Sequence, residues 1–280
     1  MTGTADTRPL ATGTDDLVGR IDGHVAVLSF NRPERRNALS PGVYTGFATA
    51  LPAIADDPEI RVVMVTGEGG AFSAGGDVKN MNERNQGAPS GPSDPESRVA
   101  DLRYRQRQVS LALRQLPQPV VAALPGPAAG AGLSIALAAD LRVAARRAVL
   151  VTAFTGVGAS GDFGGSWFLA RLVGEAKAKE LYFLSPRLSA EEAAGLGLVN
   201  QVFDDDGFDK AALDYCRRLA ARPPIALRYV KENVNRAADV DLAAALDAEA
   251  PAMVRSMSTA DHREAAAAFV EKRDPVFTGR

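Results

Sequence analysis

Two glycine-rich turns and one isolated carboxylate are the residues in this chain whose type and spacing suit chemistry. The first turn, Gly-Glu-Gly-Gly-Ala-Phe-Ser-Ala-Gly-Gly-Asp at 67–77, follows an apolar run at 61–66. The second, Gly-Pro-Ala-Ala-Gly-Ala-Gly at 126–132, follows a run at 119–124 and opens an apolar helix at 131–139. Glycine lets the main chain approach a ligand with no Cβ in the way. A helix N-terminus adds unpaired N–H groups and a positive dipole end, which suit an oxygen gaining negative charge. Nucleotide binding fits poorly: Ile135 stands where the dinucleotide fingerprint has its third glycine, and no Gly-Lys-Ser/Thr phosphate loop occurs. Residues 154–173 hold a single carboxylate, Asp162, on a Gly-rich loop ahead of an apolar helix; its plainer role is to cap that helix or brace the loop.

Short apolar or β-branched runs at 24–30, 61–66, 119–124, 140–144 and 149–151 read as buried strands. Helical stretches at 41–56 and around 99–116 fall between them, so the chain reads as α/β layers. Beyond residue 203 the pattern is nearly continuous helix, at 207–222, 224–238, 240–257 and 259–272. The expected organisation is a flexible leader at 1–16, an α/β core at 17–205 and a helical region at 206–280. Residues 82–98, rich in Gly, Pro, Ser and charge, read as a mobile loop, either a lid over a site or, equally well from composition, a plain surface insertion.

With 280 residues, 46% of them hydrophobic, the chain can bury a large core. Its 32 basic and 34 acidic residues leave no overall field for nucleic acid or an anionic membrane. No run reaches the roughly 20 uncharged apolar residues of a membrane helix, and the start lacks a signal-like apolar stretch. One cysteine excludes an internal disulfide and suits a reducing compartment. The expectation is a soluble cytoplasmic protein with no metal. His24 and His262 read as structural.

Several segments in order resemble the enoyl-CoA hydratase/isomerase (crotonase) family over about residues 17–275: those at 31–39, 71–77, 126–132, 139–144 and 188–200. The resemblance implies a crotonase-like ββα-superhelix core, a C-terminal helical trimerisation region, and a homotrimer or dimer of trimers. The implied substrate is an acyl-CoA thioester, with no separate cofactor because coenzyme A is part of that substrate.

Carried onto matching positions, the family's oxyanion hole falls on the N–H groups of Gly76 and Ala131, flanked by Asp77, Val78 and Gly130. Asp77 also reads as a cap for the next helix that shapes the Gly76 amide. Arg36, Ala38 and Ala74 are implied to line the coenzyme A entrance, and Lys272 to reach one of its phosphates across a subunit interface, although Lys272 reads equally as a solvated helix charge. Where the family's hydratases hold water with two glutamates, this chain has Ser134 and Phe154, neither able to transfer a proton at neutral pH. Some isomerases of the family carry their acid/base aspartate at the position of Asp162, and Phe154, Phe163 and Trp167 are expected to wall it. The resemblance thus favours double-bond isomerisation by Asp162, with hydration and non-catalytic acyl-CoA binding as alternatives.

Overall fold

The structure is a computed structural model that describes residues 7–77 and 94–280. Val78 and most of the expected lid at 82–98 lie outside the described residues. The last five residues of that expected loop are ordered otherwise. Asp94 caps the helix Pro95–Gln106, its carboxylate accepting from the Ser97 N–H at 2.9 Å. That helix continues through a π-helical turn, Arg107–Leu111, into Ala112–Gln115.

The strands are β1 (Thr7–Leu10), β2 (Leu17–Asp22), β3 (Val25–Phe30), β4 (Val62–Gly67), β5 (Val120–Leu124), β6 (Ala128–Ala129), β7 (Leu141–Ala145), β8 (Val149–Val151), β9 (Leu188–Ser189) and β10 (Gln201–Phe203). Seven form one sheet in the order β1-β2-β3-β4-β5-β7-β10, and β6-β8-β9 form a smaller one. From β3 to β10 the main sheet is parallel, while β1 and β2 extend it antiparallel. The expected flexible leader therefore needs correction: from Thr7 it is an edge strand, with Thr7 opposite Asp22 and Leu10 opposite Gly19. Its side chains are largely exposed, so main-chain pairing holds it and no hydrophobic pattern announced it.

Every residue of β3, β4 and β5 is buried, as expected of parallel strands covered on both faces. Alternate residues serve two cores. Ala26, Leu28, Val63, Val65 and Ala122 pack with the helices Pro41–Asp56 and Ala131–Ala138. Val25, Val27, Val62, Met64 and Val121 pack with Ala212 and Cys216 of the helix Phe208–Ala220.

Two consequences position the site. Strands β4 and β5 are parallel neighbours, with Val65 opposite Ala122, so the glycine-rich segments that follow them leave the same edge side by side. The helix Pro224–Ala237 is pinned to the core by buried Lys231, whose Nζ lies 2.8 Å from Asp140 Oδ2 and donates to the Gln118 carbonyl at 2.9 Å. Leu242–Met257 and Ala260–Glu271 complete the helical region and leave Leu242, Met253, Val254, Phe269 and Val270 exposed.

Candidate functional site

The two turns are locked against each other. Phe72 N–H donates to the Pro127 carbonyl at 3.0 Å and Ala129 N–H to the Ser73 carbonyl at 2.9 Å. Gly75, at φ +78°, crosses so closely that a Cβ there would lie 2.5 Å from the Ala129 oxygen and 2.9 Å from the Ala131 nitrogen. On the other side, a Cβ on Gly132 would lie 2.6 Å from the Ser73 oxygen. No side chain beyond hydrogen fits at either place, which explains the spacing of these glycines.

A third loop braces the first turn through Asn37, a buried amide. Its Nδ2 donates to the carbonyls of Glu68 at 2.9 Å and Ala71 at 2.8 Å, while its Oδ1 accepts from Arg32 N–H at 2.9 Å. Ser73 Oγ donates to the Asn37 carbonyl at 2.7 Å, Leu39 N–H to that of Gly75 at 2.8 Å, and Ala74 N–H to that of Arg36 at 2.9 Å. Arg36, Ala38 and Ala74 thus belong to one loop cluster, in which Arg36 is exposed and Ala38 buried. Nearly every donor in this frame is spent. Among the described residues, the N–H groups of Gly76 and Ala131 have no hydrogen-bond acceptor.

Gly76, Ala131 and Asp162 line the same cavity, of about 320 Å³. Asp162 is held by donors from two elements: Gln106 Nε2 and the Phe163 N–H each reach its Oδ1 at 2.6 Å. The loop carrying it turns through three left-handed residues, Gly161 (φ +120°), Phe163 (φ +50°) and Gly164 (φ +77°). For Phe163 that conformation costs about 1–3 kcal/mol, strain of the kind concentrated at ligand sites. It seats the ring, fully buried, in a stack on Tyr44 with centroids 5.9 Å apart. Burial pushes the Tyr44 phenol's pKa up, while Arg105, whose guanidinium carbon lies 5.1 Å over the ring, pulls the other way. Asp77 also lines the cavity, with its Oδ2 3.8 Å from Arg32 Nη2. A helix capped by Asp77 would fall outside the described residues.

Other expected site residues stand elsewhere. Ser134 is fully buried in the Ala131–Ala138 helix; its Oγ donates to the Gly130 carbonyl at 3.3 Å and shares a hydrogen bond with Tyr182. A Cβ on Gly165 would lie 2.3 Å from that Oγ, so the helix Gly165–Val173 seals it off. Phe154 stacks on Tyr182 at 6.1 Å, and Trp167 lies beneath Arg171, 3.6 Å from ring centroid to guanidinium carbon. The aromatic wall beside Asp162 is therefore Phe163 with Tyr44, not Phe154 and Trp167. Lys272, the left-handed C-cap of Ala260–Glu271, is not among the residues lining this cavity. Arg32, Tyr44, Arg105 and Gln106 went unmarked by sequence, since none shares a local pattern with the residue it meets.

Among the described residues no group of three or more His, Cys, Asp or Glu is placed to hold a metal ion, and no helix is long and apolar enough to cross a membrane.

The family model described as enoyl-CoA hydratase/isomerase matches residues 20–280. The 1,2-epoxyphenylacetyl-CoA isomerase of Escherichia coli is 37% identical over 94% of this chain and 98% of its own. The short-chain-enoyl-CoA hydratase of Clostridium acetobutylicum is 34% identical over 90% and 93%. A crystal structure titled as an enoyl-CoA hydratase from Polaromonas superposes with a TM-score of 0.86 at 38% identity, covering 94% of this chain and 99% of that one. One titled as a putative enoyl-CoA hydratase from Streptomyces coelicolor gives 0.88 at 34%, covering 100% of both. With its parallel sheet, the paired glycine turns at the ends of β4 and β5, and relatives matched over nearly their whole length, the chain belongs to the enoyl-CoA hydratase/isomerase family and has the crotonase fold.

Proposed function

We propose that the chain isomerises enoyl-CoA thioesters by moving a proton with Asp162 while the N–H groups of Gly76 and Ala131 hold the thioester oxygen. One observation carries this reading: two unpaired main-chain donors and an oriented carboxylate line a single cavity. In a 3-enoyl-CoA, Asp162 Oδ2 takes a proton from C2, and the electron pair moves onto the thioester oxygen as an enolate. The two amides stabilise that charge without reorganising; a single donor of this kind contributes roughly 3–4 kcal/mol. Asp162 then returns the proton to C4, leaving the double bond between C2 and C3. Both hydrogen bonds to Asp162 end on Oδ1, which keeps the carboxylate in place while Oδ2 does the transfer.

Hydration by two glutamates has less support, because the matching positions hold Ser134 and Phe154, which cannot transfer a proton at neutral pH and are not among the residues lining the cavity. In this reading Arg36, Ala38 and Ala74 receive coenzyme A, which arrives as part of the substrate, and no further cofactor is needed. The protein is cytoplasmic and works as a homotrimer or a dimer of trimers, supported by the apolar side chains exposed on its C-terminal helices.

The test is to incubate the protein with 3-enoyl-CoA and, separately, 2-enoyl-CoA, following conjugated-thioester absorbance and product mass. A gain of absorbance at constant mass is expected from the 3-enoyl ester, with Asp162→Asn slower by roughly 10²–10⁴-fold. Addition of one water to the 2-enoyl ester, or binding without turnover, would overturn the isomerase reading. So would full activity in Asp162→Asn.

A further inference from the structure

A second cavity, of about 720 Å³, opens on the far side of Phe163. It lies between the π-helical turn Arg107–Leu111, the helix Gly165–Val173 and the helix Pro224–Ala237, and it shares the Phe163 ring with the first cavity. Gln106, whose amide holds Asp162, lines this second space.

Its polar lining is incomplete. Ser110, within the π turn, is 5% exposed, and its Oγ has no hydrogen-bond partner. Buried hydroxyls are ordinarily paired, and π turns often mark functional sites. Four residues further on, Arg114 is half-buried against the Trp167 ring, 5.1 Å from guanidinium carbon to centroid, and among the described residues its guanidinium makes no hydrogen bond or ion pair. The carboxylates lining the space are already engaged: Glu232 with Arg228 at 2.8 Å and Asp239 with Arg171 at 3.1 Å. Lys231 is spent on Asp140. What remains for a ligand is cationic: Arg114 inside, with Arg107 and Arg236 exposed at the rim.

We propose that this cavity is a distal acyl subsite selecting acyl chains that end in a carboxylate, which accepts hydrogen bonds from the Arg114 guanidinium. It rests on the reading of the first cavity as the acyl-CoA site. A site built to hydrogen-bond a substrate group discriminates against the analogue lacking it, because its own donors are then left unpaired.

The test uses the full-length protein and saturated acyl-CoA esters of graded length, each offered with a methyl end and with a carboxylate end, and measures binding by calorimetry. The carboxylate-ended ester is expected to bind roughly tenfold to a hundredfold tighter at the matching length. Arg114→Ala collapses that ratio. Equal binding of both series, or a ratio untouched by that substitution, overturns the inference. Saturated esters need no turnover, so a preserved ratio in a protein without isomerase activity would refute only the proposed reaction. Failure to bind any coenzyme A ester would refute both.

Discussion

Replacing Gly75 by alanine tests the paired turns without touching a proposed catalytic group. The new Cβ would sit 2.5 Å from the Ala129 oxygen and 2.9 Å from the Ala131 nitrogen, on a residue at φ +78°. Both contacts are backbone, so no side chain can swing aside, and the two turns must part by several tenths of an ångström. The left-handed conformation and the clash together cost about 2 kcal/mol. A domain with 5–15 kcal/mol of stability absorbs that, with Tm lower by roughly 4–8 °C. The catalytic penalty should be larger. Parting the turns moves the Ala131 N–H relative to the Gly76 N–H, and loss or misplacement of one such donor lowers kcat about 10²–10³-fold. The assay is steady-state turnover of 3-enoyl-CoA alongside a thermal melt and coenzyme A binding. A folded Gly75→Ala protein with kcat within about threefold of the parent would refute the argument that these amides act as a pair.

Three further outcomes follow from buried or tethered groups. Lys231→Met strands Asp140, which also accepts the Val120 N–H at 2.7 Å; unfolding free energy should fall by about 3 kcal/mol, seen as a lower denaturant midpoint, and an unchanged midpoint would mean the pair anchors nothing. Burial pushes the Cys216 thiol up to about 12, so alkylation at neutral pH should proceed only through unfolding, and prompt native labelling would contradict the packing. Glu264 is held down to about 2 by hydrogen bonds from Arg273 and then from the Val276 N–H. A depressed carboxylate stabilises above its unfolded value and loses that contribution as pH falls towards the folded one, so the tail at Val276 should loosen between about pH 4.5 and pH 2. Hydrogen exchange at Val276 reads this, and an acid response unaltered in Glu264→Gln would count against it.

The elements that carry the site were legible because burial imposes a short period on sequence. Strands β3, β4 and β5 are largely apolar runs covered on both faces, and the C-terminal helices declare themselves by length. The glycines were legible for a steric reason that the close approaches at Gly75 and Gly132 make concrete. β1 was not, since an exposed edge held by main-chain pairing leaves no alternation in its side chains. The partners of the catalytic candidate were also hidden. Gln106 and Asp162 are 56 residues apart and meet only because the Pro95–Gln106 helix passes the Gly161–Gly164 loop.

The aromatic wall shows why loops resist this kind of reading. Phe154, Phe163 and Trp167 are close in sequence, and proximity suggests a shared role around Asp162. Three left-handed residues between 161 and 164 rotate the chain so that Phe163 turns onto Tyr44, Phe154 stays on Tyr182, and Trp167 faces the second cavity. Such dihedrals are set by tertiary packing, and at Phe163 they run against the residue's own preference. Phe163 borders both the proton-transfer cavity and the distal one, so Phe163→Gly would relieve the strain and widen the passage between them together. Loss of the buried ring, about 3–5 kcal/mol, should outweigh the relieved strain of about 1–3 kcal/mol, so the protein is modestly less stable and loses discrimination by acyl length, whereas Phe163→Leu, which keeps the strain and much of the bulk, should retain that discrimination. Loss of length discrimination in both variants, or in neither, would show that the ring does not govern passage between the two spaces.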